Sequence, residues 1–61
     1  MSKIKTLREK AGLKQADLAR KLNVGQSAVS MWETGLAMPR TDKLPELAEI
    51  LGCTVDELLK G

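Results

Sequence analysis

Only three residues, Asn23-Val24-Gly25, separate two stretches whose apolar side chains recur at helical spacing. Leu18, Ala19 and Leu22 make one face of the first stretch, and Val29 and Trp32 anchor the second. A connection this short does not let two helices lie flat against each other, so they must cross at a steep angle. Such a crossing needs a small side chain at the point of contact, and Ala19 stands there. It also needs apolar anchors around that point, which Leu18, Leu22, Val24, Val29 and Trp32 supply.

The rest of the 61-residue chain is punctuated in the same way. Ile4, Leu7 and Ala11 give a first helix from about Lys3 to Ala11, stopped by Gly12. The central pair spans Gln15 to Leu22 and about Gln26 to Glu33. A loop around Leu36-Ala37-Met38-Pro39 leads to a fourth helix from about Asp42 to Leu51, burying Leu44, Leu47, Ala48 and Leu51 and ending at Gly52. Pro45 falls in its first turn, where a missing N–H costs little. Thr54-Val55-Asp56-Glu57 has the spacing of a capping box and opens a fifth helix that offers Leu58 and Leu59 to the core.

With no Phe or Tyr, one Trp and one Cys, stability has to come from helix packing without a disulfide. The expected fold is all-α, a compact five-helix bundle in a single domain over residues 1–61. It contains a helix-turn-helix at about 15–33.

Catalysis finds no components here. There is no His, Cys53 has no neighbouring cation to activate it, and no carboxylates pair in a plausible cleft. Cys53 reads as a small buried hydrophobe. No catalytic residue, metal ligand, cofactor or small-molecule ligand is expected. The lone cysteine suits a reducing compartment, and neither a membrane span nor a signal-peptide core is visible. A cytoplasmic location is therefore expected, with no membrane partner.

Residues 22–32, LNVGQSAVSMW, carry no charge in a chain that is 30% charged. On a helical wheel the apolar members Val29, Trp32 and Ala28 turn to one side, with Glu33 beside them. Gln26, Ser27, Ser30, Met31 and Thr34 take the opposite arc. That arc lacks the Lys and Glu residues that usually fill a solvated face. Short polar side chains with one apolar tip suit the base edges of a DNA major groove, the groove that the second helix of such a pair enters. The bland alternative is an exposed helix that is poorly optimised for solvent.

Charge is unevenly distributed. Residues 1–30 hold seven Lys/Arg against Glu9 and Asp17, net +5, whereas residues 31–61 hold three against six carboxylates, net −3. One end of the domain is thus suited to a polyanion and the other is held away from it, unless the charges only solvate helix surfaces.

The segments AGLKQADLARKLNVGQSAVSMWETG (11–35) and LPELAEILGCTVDELLKG (44–61) resemble the DNA-binding domains of lambdoid phage repressors and Cro proteins, within the XRE-type helix-turn-helix group. The likeness runs from Ile4 to Gly61. It implies double-stranded DNA as partner, with Gln26, Ser27, Ser30 and Met31 on base edges and Gln26 reading adenine. It further implies that Gln15 bonds a phosphate and that Arg8 pairs with Glu33 to tie the recognition helix to the bundle; as a generic surface pair those two would contribute about 0–1 kcal/mol. Lys14, Thr34, Arg40 and Lys43 complete the expected phosphate contacts. The apolar loop at residues 36–39 and the region near Val55 are expected to meet a second copy on DNA.

Three positions depart from the family pattern. Lys14 replaces the usual Ser, Thr or Asn cap, Asn23 replaces a common glycine, and the loop after Gly35 is apolar where some relatives are basic. The resulting expectation is a small bacterial or phage-encoded repressor, nucleoid-associated and dimeric on a partly palindromic operator. The alternative is a protein-interaction module such as the antitoxin of a toxin-antitoxin pair.

Overall fold

The computed structural model describes residues 2–60, so Met1 and Gly61, the ends of the expected domain, lie outside the described residues. Five α-helices follow in order: α1 (Ser2–Lys10), α2 (Gln15–Leu22), α3 (Gln26–Thr34), α4 (Leu44–Leu51) and α5 (Val55–Lys60). Among the described residues there is no strand, and no helix is long and apolar enough to cross a membrane. The all-helical bundle is as expected.

The turn between α2 and α3 is built by Asn23, whose backbone is left-handed at φ 59° and ψ 44°. Its N–H donates to the carbonyl of Arg20 at 3.2 Å, and that of Val24 to Ala19 at 2.9 Å, closing the helix with two otherwise orphaned carbonyls satisfied. Asn is among the few residues with a side chain that adopt this conformation at low cost, so the change from glycine leaves the turn intact. Gly35, at φ 84°, ends α3 in the same way, with the Leu36 N–H donating to Met31 at 3.0 Å.

The α2 start shows what the loss of a Ser or Thr cap leaves behind. Lys14 has no side-chain acceptor to offer, but its own N–H donates to Asp17 Oδ2 at 3.0 Å, the reciprocal half of a capping box. At α5 both halves form: Glu57 N–H donates to Thr54 Oγ1 at 3.1 Å, and Thr54 N–H to Glu57 Oε1 at 3.2 Å.

The fourth segment differs from expectation at its beginning. Thr41–Lys43 is a 3-10 turn, and the α-helix begins only at Leu44. Proline explains the difference, because Pro45 has no N–H to return to Thr41 and its ring crowds that carbonyl, so the preceding turn closes through tighter bonds such as Lys43 N–H to Arg40 at 2.9 Å. The first helix also stops a residue early, at Lys10, and Ala11 is exposed.

Leu18, Leu22, Val29, Leu47 and Leu58 are fully buried, and Trp32 is nearly so. Ala19 is buried on α2, which packs against α3. Of the two leucines offered by α5 only Leu58 enters the core, while Leu59 points outward. Adjacent residues on a helix lie about 100° apart, so a helix with one buried face takes one of them. Cys53 is half-buried, and burial, with the nearby Glu57 charge, pushes its thiol pKa up, which suits a packing role.

A polar contact fastens α2 to the turn that precedes α4. The Lys43 ammonium, half-buried, donates to the Leu22 carbonyl at 3.0 Å, placing a cation at the negative end of α2.

Thermal melts should separate two kinds of position in this fold. Trp32→Ala is expected to cost about 3–5 kcal/mol, close to the whole stability of a domain this small. Asn23→Ala is expected to cost about 1–2 kcal/mol through its left-handed backbone, with Asn23→Gly near neutral. A Trp32→Ala chain as stable as its parent would contradict the packing described.

Candidate nucleic-acid interface

Helix α3 has two unlike sides. Val29 and Trp32 are buried, and Ala28 is half-buried beside them. On the outward arc Gln26, Ser27 and Thr34 are exposed, Met31 is 39% exposed and Ser30 is half-buried. Ser27, Ser30, Met31 and Thr34 therefore share one uncharged face, whereas Gln26, in the first turn about 60° from Val29 and close in azimuth to Glu33, stands at its edge and not at its centre.

What holds that face in place lies in the last turn of α3. Arg8 Nε donates to Glu33 Oε2 at 2.6 Å and Arg8 Nη2 to Glu33 Oε1 at 3.3 Å, a two-pronged pair. The third nitrogen, Nη1, donates to the Leu13 carbonyl at 2.8 Å. Glu33 Oε1 also accepts from Gln15 Nε2 at 2.9 Å. One carboxylate thus joins α1, the start of α2 and the last turn of α3. The two side chains of the pair are only 10% and 4% exposed, so the generic surface pairing does not describe them.

The electrostatics follow from that geometry. Burial pushes the Glu33 carboxyl up, but hydrogen bonds from Arg8 and Gln15 and the charges of Arg8 and Lys5 outweigh it, and its pKa lies below the usual carboxylate range. The hydrogen bond to Glu33 raises the Arg8 pKa against the opposing effect of burial. Both groups are held ionised.

The expected phosphate contacts occupy varied settings. Gln15 is half-buried and gives one amide hydrogen to Glu33, leaving the other for an outside acceptor. Lys14 is exposed. Arg40 is exposed and 3.5 Å from the Asp42 carboxylate. The Thr34 hydroxyl donates to the carbonyls of Ser30 and Met31, at 3.1 and 3.3 Å, which occupies its one hydrogen in this rotamer. Lys43 is turned toward α2, as described above, and lies 3.9 Å from Glu46.

Two contributions escape sequence reasoning. The Leu13 carbonyl that receives Arg8 carries no residue signature at all. The Gln15–Glu33 bond was foreshadowed only by the crossing of α2 and α3, which brings the first turn of one near the last turn of the other.

Comparison with known proteins decides the family, because the helix-turn-helix family description matches residues 4–58. The chain belongs to the helix-turn-helix family. This helix-turn-helix domain is similar to the 26 kDa repressor protein of Escherichia phage HK022, at 48% identity over 50 residues, covering 75% of this chain and 21% of that protein. It is 37% identical over 59 residues to the HTH-type transcriptional activator BcrR of Enterococcus faecalis, covering 97% and 29%. Repressor protein C2 of Salmonella phage P22 is 36% identical over 59 residues, covering 97% and 27%. The chain thus spans less than a third of the length of each of these relatives. No solved structure matches it.

The network makes a prediction of its own. Arg8→Ala leaves the part-buried Glu33 carboxylate without its cation and is expected to cost about 1.5–3 kcal/mol in urea unfolding. Because the folded pKa of Glu33 is depressed, the pair's stabilisation is complete above the unfolded value of about 4.3 and is lost as pH falls through the folded value. The unfolding midpoint of the parent should therefore drop on acidification below pH about 4, and Glu33→Gln should lose that part of the pH dependence. An Arg8→Ala midpoint equal to that of the parent would show the network to be idle.

Proposed function

We propose that this chain is a sequence-specific binding domain for double-stranded DNA that acts in transcriptional control, inserting α3 into the major groove. The observation that carries the reading is the uncharged outward arc of α3 on a helix locked by the Arg8–Glu33–Gln15 network. A carboxylate on that arc would be repelled by phosphates, and its short polar side chains allow close approach to the base edges. Membership of the helix-turn-helix family and relatives named as transcriptional regulators support it.

In this reading Gln26, Ser27, Ser30 and Met31 meet base edges. Gln26 has the donor and acceptor needed for adenine N6 and N7, and Met31 an apolar tip for a thymine methyl. Arg and Lys, the usual partners of guanine, are absent from the arc, so the half-site is A·T-rich with an adenine opposite Gln26. The free hydrogen of the Gln15 amide, Lys14 and Arg40 serve the phosphates; Lys43 adds its remaining ammonium hydrogens, whereas Thr34, whose one hydroxyl hydrogen is taken up within α3, reaches a phosphate only from another rotamer.

The regulator is proposed to repress by occupying a partly palindromic operator as a dimer, with half-sites about 34–36 Å apart. Two of the three relatives above are named repressors. Leu36 and Met38, 81% and 63% exposed in the loop after α3, are apolar side chains available for the second copy.

Selecting bound sequences from a random duplex pool tests the reading, and A·T-rich half-sites should emerge. On single-base variants of the selected duplex, Gln26→Ala should lose about 1–3 kcal/mol of discrimination at one position, while Gln15→Ala weakens all variants alike. A uniform loss for Gln26→Ala would make it a positioning residue; a pool that yields no enriched sequence would refute sequence-specific binding.

A further inference from the structure

The geometry points to Lys5 as a phosphate-contacting residue that clamps the wall of the groove beside α3, an inference that rests on the DNA-binding reading above. On α1, with buried Ile4 taken as zero, Arg8 falls at about 40° and Lys5 at about 100°, whereas Lys10 and Lys3 fall at about 240° and about 260°. Lys5 therefore shares the flank of α1 that faces α3, one turn before the residue that grips Glu33. Lys3 and Lys10 point the other way.

Placement of the charges agrees with the wheel. Lys5 acts on the Glu33 carboxylate at the end of α3, while Lys3 acts on Cys53, between α4 and α5. Glu33 is already matched by Arg8 at contact distance. Lys5 is exposed and forms no ion pair among the described residues, so its positive charge is a surplus beside that end of the domain. Glu9, at about 140°, is the acid on the same flank, a full turn further along α1.

The dimensions of the groove decide what Lys5 meets. A helix with its side chains is about 10–12 Å across and nearly fills a major groove about 12 Å wide. Once α3 occupies the groove, a helix packed alongside it meets the sugar-phosphate wall instead of the bases. The four-carbon stem of Lys5 gives its ammonium reach toward that wall, on the side where the half-buried Gln15 amide, bonded to Glu33, keeps one spare hydrogen. Such a contact adds affinity without sequence preference.

The test is the salt dependence of binding to the duplex recovered from the random pool by the unmodified chain, measured by fluorescence anisotropy. Removing one phosphate contact lowers the log-log slope by about one. Lys5→Gln should show that drop, Lys5→Arg should keep the parent slope, and Lys3→Gln, the same charge change on the opposite flank, should keep it too. Equal slopes for Lys5→Gln and the parent would overturn the inference, as would an equal drop for Lys3→Gln, which would mark a diffuse effect of net charge. A parent with near-zero slope would overturn the DNA-binding reading itself.

Discussion

A single buried carboxylate, Glu33, fixes the geometry on which the recognition surface depends. It receives Arg8 from α1 and Gln15 from α2 while standing on α3, so three helices are registered against one group. Hydrophobic packing of Leu18, Leu22, Val29 and Trp32 holds the helices together, but apolar contact is non-directional and tolerates sliding. Charge-assisted hydrogen bonds at 2.6–3.3 Å do not. In a domain this small they turn a packed bundle into one with a defined outward face.

That constraint also explains how one face of α3 can be uncharged. A solvated helix face normally uses Lys and Glu pairs for solubility and local support, and the outward arc of α3 has neither. Its support comes instead from the buried side and from both ends. Gly35 closes the C-terminus through Met31, and the left-handed Asn23 delivers the chain to Gly25 at the N-terminus. The Lys43 bond to the Leu22 carbonyl ties the turn before α4 to the same unit. The surface is thereby free to carry side chains chosen for what they touch.

Much of this was legible in the sequence because it depends on spacing. The three-residue turn implied crossed helices, the apolar periodicity located the core of α2, α3 and α4, and Thr54 with Glu57 announced a capping box that forms in full. The misses share a cause: they depend on backbone atoms or on a choice between equivalents. Nothing in the residue types told which of Leu58 and Leu59 enters the core, nor that Pro45 would tighten the turn before it into a 3-10 geometry. The carbonyls of Leu13 and Leu22 have no letter in the sequence, so the full engagement of Arg8 and the inward turn of Lys43 emerged only in three dimensions. The arc of α3 was read from the wheel, and the pairing of Arg8 with Glu33 from family likeness; its burial was not.

Amide chemical-shift mapping of the chain with its selected DNA duplex tests whether α3 is the element that meets DNA. The largest perturbations are expected on residues 26–34 and on Gln15, with the acidic surfaces of α4 and α5 nearly silent. Perturbations concentrated on α4 and α5, with α3 unaffected, would contradict that assignment.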